Sequence, residues 1–176
     1  MDLGLLALRL VVGLGFAAHG SQKLFGAFGG RGIDGTAEFF EKLGLRPGQA
    51  QAWFAGTTEL CGGLAIAFGF VTPFAAAGLI AVMTAAVLTV HGKNGFFITE
   101  QGYEYNLVLI AVMFALAGIG AGEWSLDSAM GLALAGAGWA FGALAAGLFG
   151  GLGAVGIGRL ARRERGTPRH GHPTPA

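Results

Sequence analysis

Five stretches of this chain are long and apolar enough to cross a lipid bilayer, roughly residues 3–20, 52–70, 74–90, 105–120 and 132–157. The hydrocarbon core takes about 20 mostly apolar residues as helix. Within it each backbone N–H and C=O must find its partner inside the segment, so such stretches become helices. The sequence therefore predicts an all-α integral membrane helical bundle. Composition agrees: of 176 residues, 53% are hydrophobic and only 12% charged, with a mean hydropathy of +0.62. One water-soluble core could not hide that much apolar surface. The 34 glycines lack a collagen period, and the chain lacks the polar bias of a disordered one. Its basic residues form no stripe along a soluble face, so nucleic acid is not an expected partner. The single cysteine, Cys61, excludes an internal disulfide or a C-x-x-C pair and reads as a small buried hydrophobe.

The first segment carries Arg9 in its apolar part and has no basic leader, so it reads as a retained helix and not a signal peptide. Pro47 and Pro73 suit the first turns of the second and third helices, and the tight 70–72 connection makes these an antiparallel hairpin. In the fifth, Gly136, Gly138, Gly142 and Gly147 would allow close helix contacts. Between the first two spans, residues 36–43 follow Asp34-Gly35 and end at Gly44, with Phe39, Phe40 and Leu43 on one side. That is the pattern of a short helix lying on the membrane surface. The chain thus divides into a membrane domain over 1–130, an added Gly/Ala-rich helix over 131–158, and a basic, proline-broken tail over 159–176 that is expected to be disordered near lipid headgroups. The tail's His170 and His172 are not taken as a metal site. With five spans, ten Lys and Arg fall on the side of the first loop, third loop and tail, and none on the other. The positive-inside rule then puts that side, tail included, in the cytoplasm of a bacterial plasma membrane.

Ionisable groups inside a span cost about 2.5–3.5 kcal/mol each, so each calls for an explanation. His19, Gln22 and Lys23 end the first helix, and Glu59 lies about 9 Å inward of Trp53 on the second. His91, followed by Lys93 and Asn94, ends the third, and Glu104, Tyr105 and Asn106 begin the fourth. All face one membrane side, opposite a half that reads as nearly all apolar. Arg9, Gly13, Phe16, Gly20 and Lys23 share one helical stripe, while Gly56, Glu59 and Gly63 share another. Arg9 sits about 7 Å deeper than Glu59, within reach of an extended guanidinium, so an Arg9–Glu59 pair is expected. The candidate catalytic residues are Glu59, His19, His91 and Glu104; the candidate binding residues are Arg9, Gln22, Lys23, Asn94, Tyr105 and Asn106. No metal-binding spacing, nucleophile elbow or phosphate cradle is present.

These residues resemble the DoxX family of small bacterial membrane proteins. The likeness runs from Arg9-Leu10, Gly13, Phe16, His19-Gly20 and Gln22-Lys23-Leu24-Phe25 through Gly35-Thr36-Ala37-Glu38-Phe39-Phe40, Leu43-Gly44-Leu45 and Glu59-Leu60 with Gly62-Gly63. It continues with His91, Asn94-Gly95-Phe96, Gly102-Tyr103-Glu104-Tyr105-Asn106-Leu107 and Ser125-Leu126-Asp127, covering roughly residues 3–130. The resemblance implies a four-helix membrane core and an association with redox systems, including quinone-linked and thiol-linked oxidoreductases. The fifth span and the tail lie outside that core, and the lone Cys61 argues against direct dithiol exchange. Three functions remain open. One is a redox-associated subunit acting with a partner protein, with His19 or His91 hydrogen-bonding a quinone carbonyl and Glu59 or Glu104 supplying protons. The others are a small transporter or channel and a non-catalytic assembly protein. The sequence names no resident cofactor, and it leaves the lipid bilayer, a redox partner, quinone and further copies of the chain as candidate partners.

Overall fold

The computed structural model describes residues 2–166, and every regular element among them is helical. The expectations for Arg169, His170, His172 and the tail prolines lie outside the described residues. In chain order the main helices are α1 (Asp2–Phe25), α2 (Gly32–Lys42), α3 (Gly48–Phe68), α4 (Thr72–Ala86), α5 (Glu104–Ile119), α6 (Leu126–Ala129) and α7 (Ala137–Gly166). α4 runs on through a wider π turn, Val87–His91, and a last tight turn, Gly92–Asn94. Three helices have the length and apolar character to span a membrane: Asp2–Phe25, Thr72–Asn94 and Ala137–Ala161. α5 is equally apolar but shorter, and α3, which is more polar, packs antiparallel along α1. The protein is an all-α membrane helical bundle.

Two tightly packed helix pairs, with α5 against α4 and α7, make up the bundle. α1 and α3 touch backbone to backbone: a Cβ on Gly13 would stand 2.6 Å from both Ala67 N and Gly63 O. Gly20 meets Gly56 and Leu60 in the same way one step further along. The glycine faces read from the sequence are this seam. α4 and α7 run parallel, with Gly147 against Ile80 and Ala77, and Gly151 against Ala81 and Thr84. Gly138 and Gly142 instead face open space, and Gly136 precedes the helix at φ 113, so of the four glycines read from the sequence Gly147 makes the close contact, joined by Gly151 further along.

The helices share two ends. At the turn end lie the α3–α4 connection and residues 120–136. At the loop end lie α2, residues 92–103 and the far part of α7, where Arg46 N donates to Gly158 O (3.0 Å) and Arg159 to Leu88 O (3.4 Å). α2 starts four residues before the expected 36, and α7 continues to Gly166, past the start of the basic segment. On α2 the Glu38–Lys42 pair (2.6 Å) spans one helical turn, and Lys42 holds the Glu38 carboxyl below its ordinary range.

Candidate functional site

Glu59 stands near the middle of α3, eleven residues after Gly48 and nine before Phe68, about 16 and 14 Å from the two ends. Its side chain is only 3% exposed, and Oε2 is held by Nζ of Lys23, whose side chain is 25% exposed. Lys23 reaches this depth because α1 stops at Phe25 while α3 extends eight residues beyond Gly56, its neighbour across the seam. A lysine that reads as an anchor at a helix end is thus one half of a largely buried ion pair. Such a pair survives in an apolar interior only where geometry and further contacts offset its lost hydration.

The pair borders a half-open cavity of about 930 Å³ lined chiefly by α3, α4 and α7. Small side chains make its walls: Ala50 and Ala55 from α3, Ala77, Gly78, Ala81 and Ala85 from α4, and Ala146, Gly150 and Ala154 from α7. Phe39 and Phe40 of α2 close it at the loop end. A second cavity of about 400 Å³ lies beyond them, lined by His19, Gln22, Lys23, Arg31 and Thr36. Lys23, Phe39 and Phe40 border both, so Lys23 stands between a mixed, open cleft and a more apolar cavity. The size and the few convergent polar groups are those of a small-molecule site.

The other sequence-derived candidates are placed as follows. His91 lines the large cavity near the loop end, about 20 Å along α4 from Gly78, which packs level with Thr58 and Glu59. His19 is exposed and lines the smaller chamber. Both rings are oriented by backbone: Nδ1 of His19 donates to Gly15 O (2.9 Å), and Nδ1 of His91 to Gln101 O (2.8 Å). A carbonyl only accepts, so each neutral ring presents Nε2 as an acceptor. Asn94 also donates to Gln101 O (3.2 Å), and Glu104 accepts from Ile98 N–H (2.9 Å), so these two shape the 92–103 loop and border neither cavity. Asn106 is buried against Met83 Sδ (3.4 Å), Tyr105 is exposed, and Gln22 donates to Phe28 O (3.4 Å). Among the described residues no three His, Cys, Asp or Glu side chains converge as a metal site.

The Arg9–Glu59 pair does not form. Arg9 lies fourteen residues, about 21 Å, from Lys23 toward the turn end, where its guanidinium donates to Trp124 O. It is 1% exposed, rests against Gly69, and lies within electrostatic reach of Asp127. Asp127, also buried, accepts from Val71 N–H (2.7 Å), Thr72 N–H (3.1 Å) and the Thr72 hydroxyl (2.7 Å). The half of the bundle that reads as apolar therefore holds a second buried polar cluster. Pattern reading missed Asp127 because its partners are mostly backbone groups more than fifty residues away. It also missed Phe39 and Phe40 as cavity walls, having assigned them to a membrane surface.

The fold and site define a class: a small helical membrane protein with a buried ion pair on an intramembrane cavity. The chain belongs to the DoxX family, whose model matches residues 4–92, from α1 to the end of α4. It is 30% identical over 117 residues to a protein named putative oxidoreductase CatD from Bacillus subtilis, covering 66% of this chain and 81% of that one. It is 27% identical over 113 residues to an uncharacterized protein of Haemophilus influenzae, covering 52% and 74% respectively. No solved structure matches the chain. Lys23, Glu59 and His91 lie inside the matched region, whereas α5, Asp127 and α7 lie beyond it.

Proposed function

We propose that this protein is a membrane subunit or partner of a quinone-linked oxidoreductase system and that the large cavity receives the quinone. The observation that carries the reading is the Lys23–Glu59 pair set into an apolar cavity of about 930 Å³. Such a space suits a lipophilic ring with part of its tail, and the pair supplies both a donor and an acceptor to its polar end. The name of the Bacillus subtilis relative supports the redox assignment. His91, at the loop end of the same cavity, is too far from Glu59 to meet the same small headgroup. Lys23 and Glu59 are therefore the residues that exchange a proton with the ligand, and a partner protein supplies or removes electrons. The 1–130 region would form the working core, with α7 as the wall that completes it.

Purification in mild detergent followed by extraction of bound lipid tests this. Near-stoichiometric quinone is the expected outcome, and its absence from protein purified out of quinone-containing membranes would overturn the reading. A transporter is the second reading, favoured by the position of the pair between two chambers near half-depth. Solute flux in reconstituted vesicles without bound quinone would select it. On the ten-to-zero count of basic residues, the loop end faces the cytoplasm of a bacterial plasma membrane. An alkaline phosphatase fused after Ala176 should accordingly be inactive, and an active fusion would invert the orientation.

A further inference from the structure

We infer that Glu59 makes the cavity selective for a headgroup that donates a hydrogen bond, so that the hydroquinone form is bound in preference to the quinone. This rests on the quinone reading above and adds to it which redox form the protein favours. Only Oε2 of Glu59 is engaged, by Lys23 Nζ. Oε1 receives no hydrogen bond from any described residue, is absent from the polar atoms sealed away without a partner, and belongs to a side chain that lines the large cavity. Glu59 faces the Lys23 ammonium as the acid of an ion pair, and a carboxylate in such a pair only accepts. A carbonyl oxygen set against Oε1 would place two acceptors face to face in an apolar surrounding. A hydroxyl there gains a charge-assisted bond and loses no partner.

The other polar side chains of the wall do not offset this. His91 and Thr89, whose hydroxyl donates to Ala85 O (2.7 Å), lie about 16–20 Å away toward the loop end. Thr58 and Gln51 carry groups that both donate and accept, so they meet either redox form. Lys23 is the ammonium donor beside Glu59 and serves both redox forms, since each carries an acceptor oxygen, so the difference between them falls on Oε1 of Glu59. Oε1 of Glu59 belongs to a side chain on the wall of the larger, mainly apolar cavity.

The test is calorimetric titration of the full chain in lipid nanodiscs, without oxygen. The probes are a decyl-substituted benzohydroquinone, the matching benzoquinone, and the dimethyl ether of the hydroquinone. The hydroquinone should bind roughly tenfold or more tightly than the quinone, the gain of one hydrogen bond to a charged acceptor. For a two-electron couple that raises the bound potential by about 30 mV. The dimethyl ether, which keeps the size and oxygens but has no O–H, should bind no better than the quinone. A Lys23→Met/Glu59→Leu double variant should bind both redox forms alike. Equal or tighter binding of the quinone, an ether as tight as the hydroquinone, or a preference that survives in the double variant would each overturn the inference and leave the quinone reading standing. If none of the probes binds the wild-type protein, both fail together.

Discussion

Two buried acids, Asp127 at the turn end and Glu59 in mid-bundle, sit in equally dry surroundings and are used in opposite ways. Both oxygens of Asp127 are engaged: they accept three hydrogen bonds from Val71 and Thr72, and it borders neither cavity. Glu59 is half-satisfied, with one oxygen on Lys23, the other without a hydrogen bond from any described residue, and the side chain on the cavity wall. Burial of an ionisable group in a membrane span marks it as important without saying why. The count of partners against capacity separates the fastening from the site.

The largest effect should come from the fastening. Asp127→Ala leaves two backbone N–H groups and a hydroxyl without their acceptor and should cost roughly 3–6 kcal/mol. Thermal unfolding in detergent should register it as a large drop in Tm, with the relative affinities of any cavity ligands unchanged in the protein that remains folded. A comparably small drop for Asp127→Ala and a surface substitution would dissolve the distinction.

Next is the ion pair. Breaking a buried pair from one side typically costs about 3–5 kcal/mol. Lys23 is a quarter exposed and can turn to the smaller chamber, so Glu59→Leu alone should cost less, about 2–3 kcal/mol. Lys23→Met combined with Glu59→Leu should recover much of that. Strict additivity in a double-mutant cycle would mean that the two charges do not interact.

The smallest effect sharpens the separation of the two clusters. Arg9→Leu and Glu59→Leu should be additive within about 0.3–0.5 kcal/mol, because the residues are far apart with no shared partner. A coupling above 1 kcal/mol would bring back a pairing that the geometry denies.

Much of the fold could be read from residues. The apolar runs located every long helix, to within five positions except at the end of α7, which runs nine past the expected 157. Pro47 stands at the cap of α3, and the shared faces of Gly13, Gly20, Gly56 and Gly63 anticipated the α1–α3 seam. The membership of the site was harder. Helical rise gives depth within one helix but no offset between two, and α1 runs five residues past the expected 20. That offset carried Lys23 to Glu59 and left Arg9 at the other end. Glu104 and Asn94 lay in the right region, yet their bonds to Ile98 and Gln101 O depend on a loop conformation that no periodicity encodes. The cavity was invisible because a void between alanines and glycines has the same sequence signature as close packing. On α4, Ala76 is fully buried in the core while its neighbour Ala77 lines the cavity.

The Asp127 bonds also set how the bundle can move. They pin the start of α4 to the segment behind α5, at the end where the short turn already ties α4 to α3. The α1–α3 and α4–α7 pairs are each joined by backbone contact, and the cavity lies along the division between them. The two limbs are fastened at the turn end by the Asp127 bonds and joined again at the loop end by Arg46 N–H to Gly158 O (3.0 Å). Parting them beside Phe39 and Phe40 would cost that backbone bond, whereas parting them at the turn end would strand two N–H groups and a hydroxyl. The loop end is therefore the weaker of two closures, and the length of a guest entering there would be limited by how far toward Asp127 the gap persists.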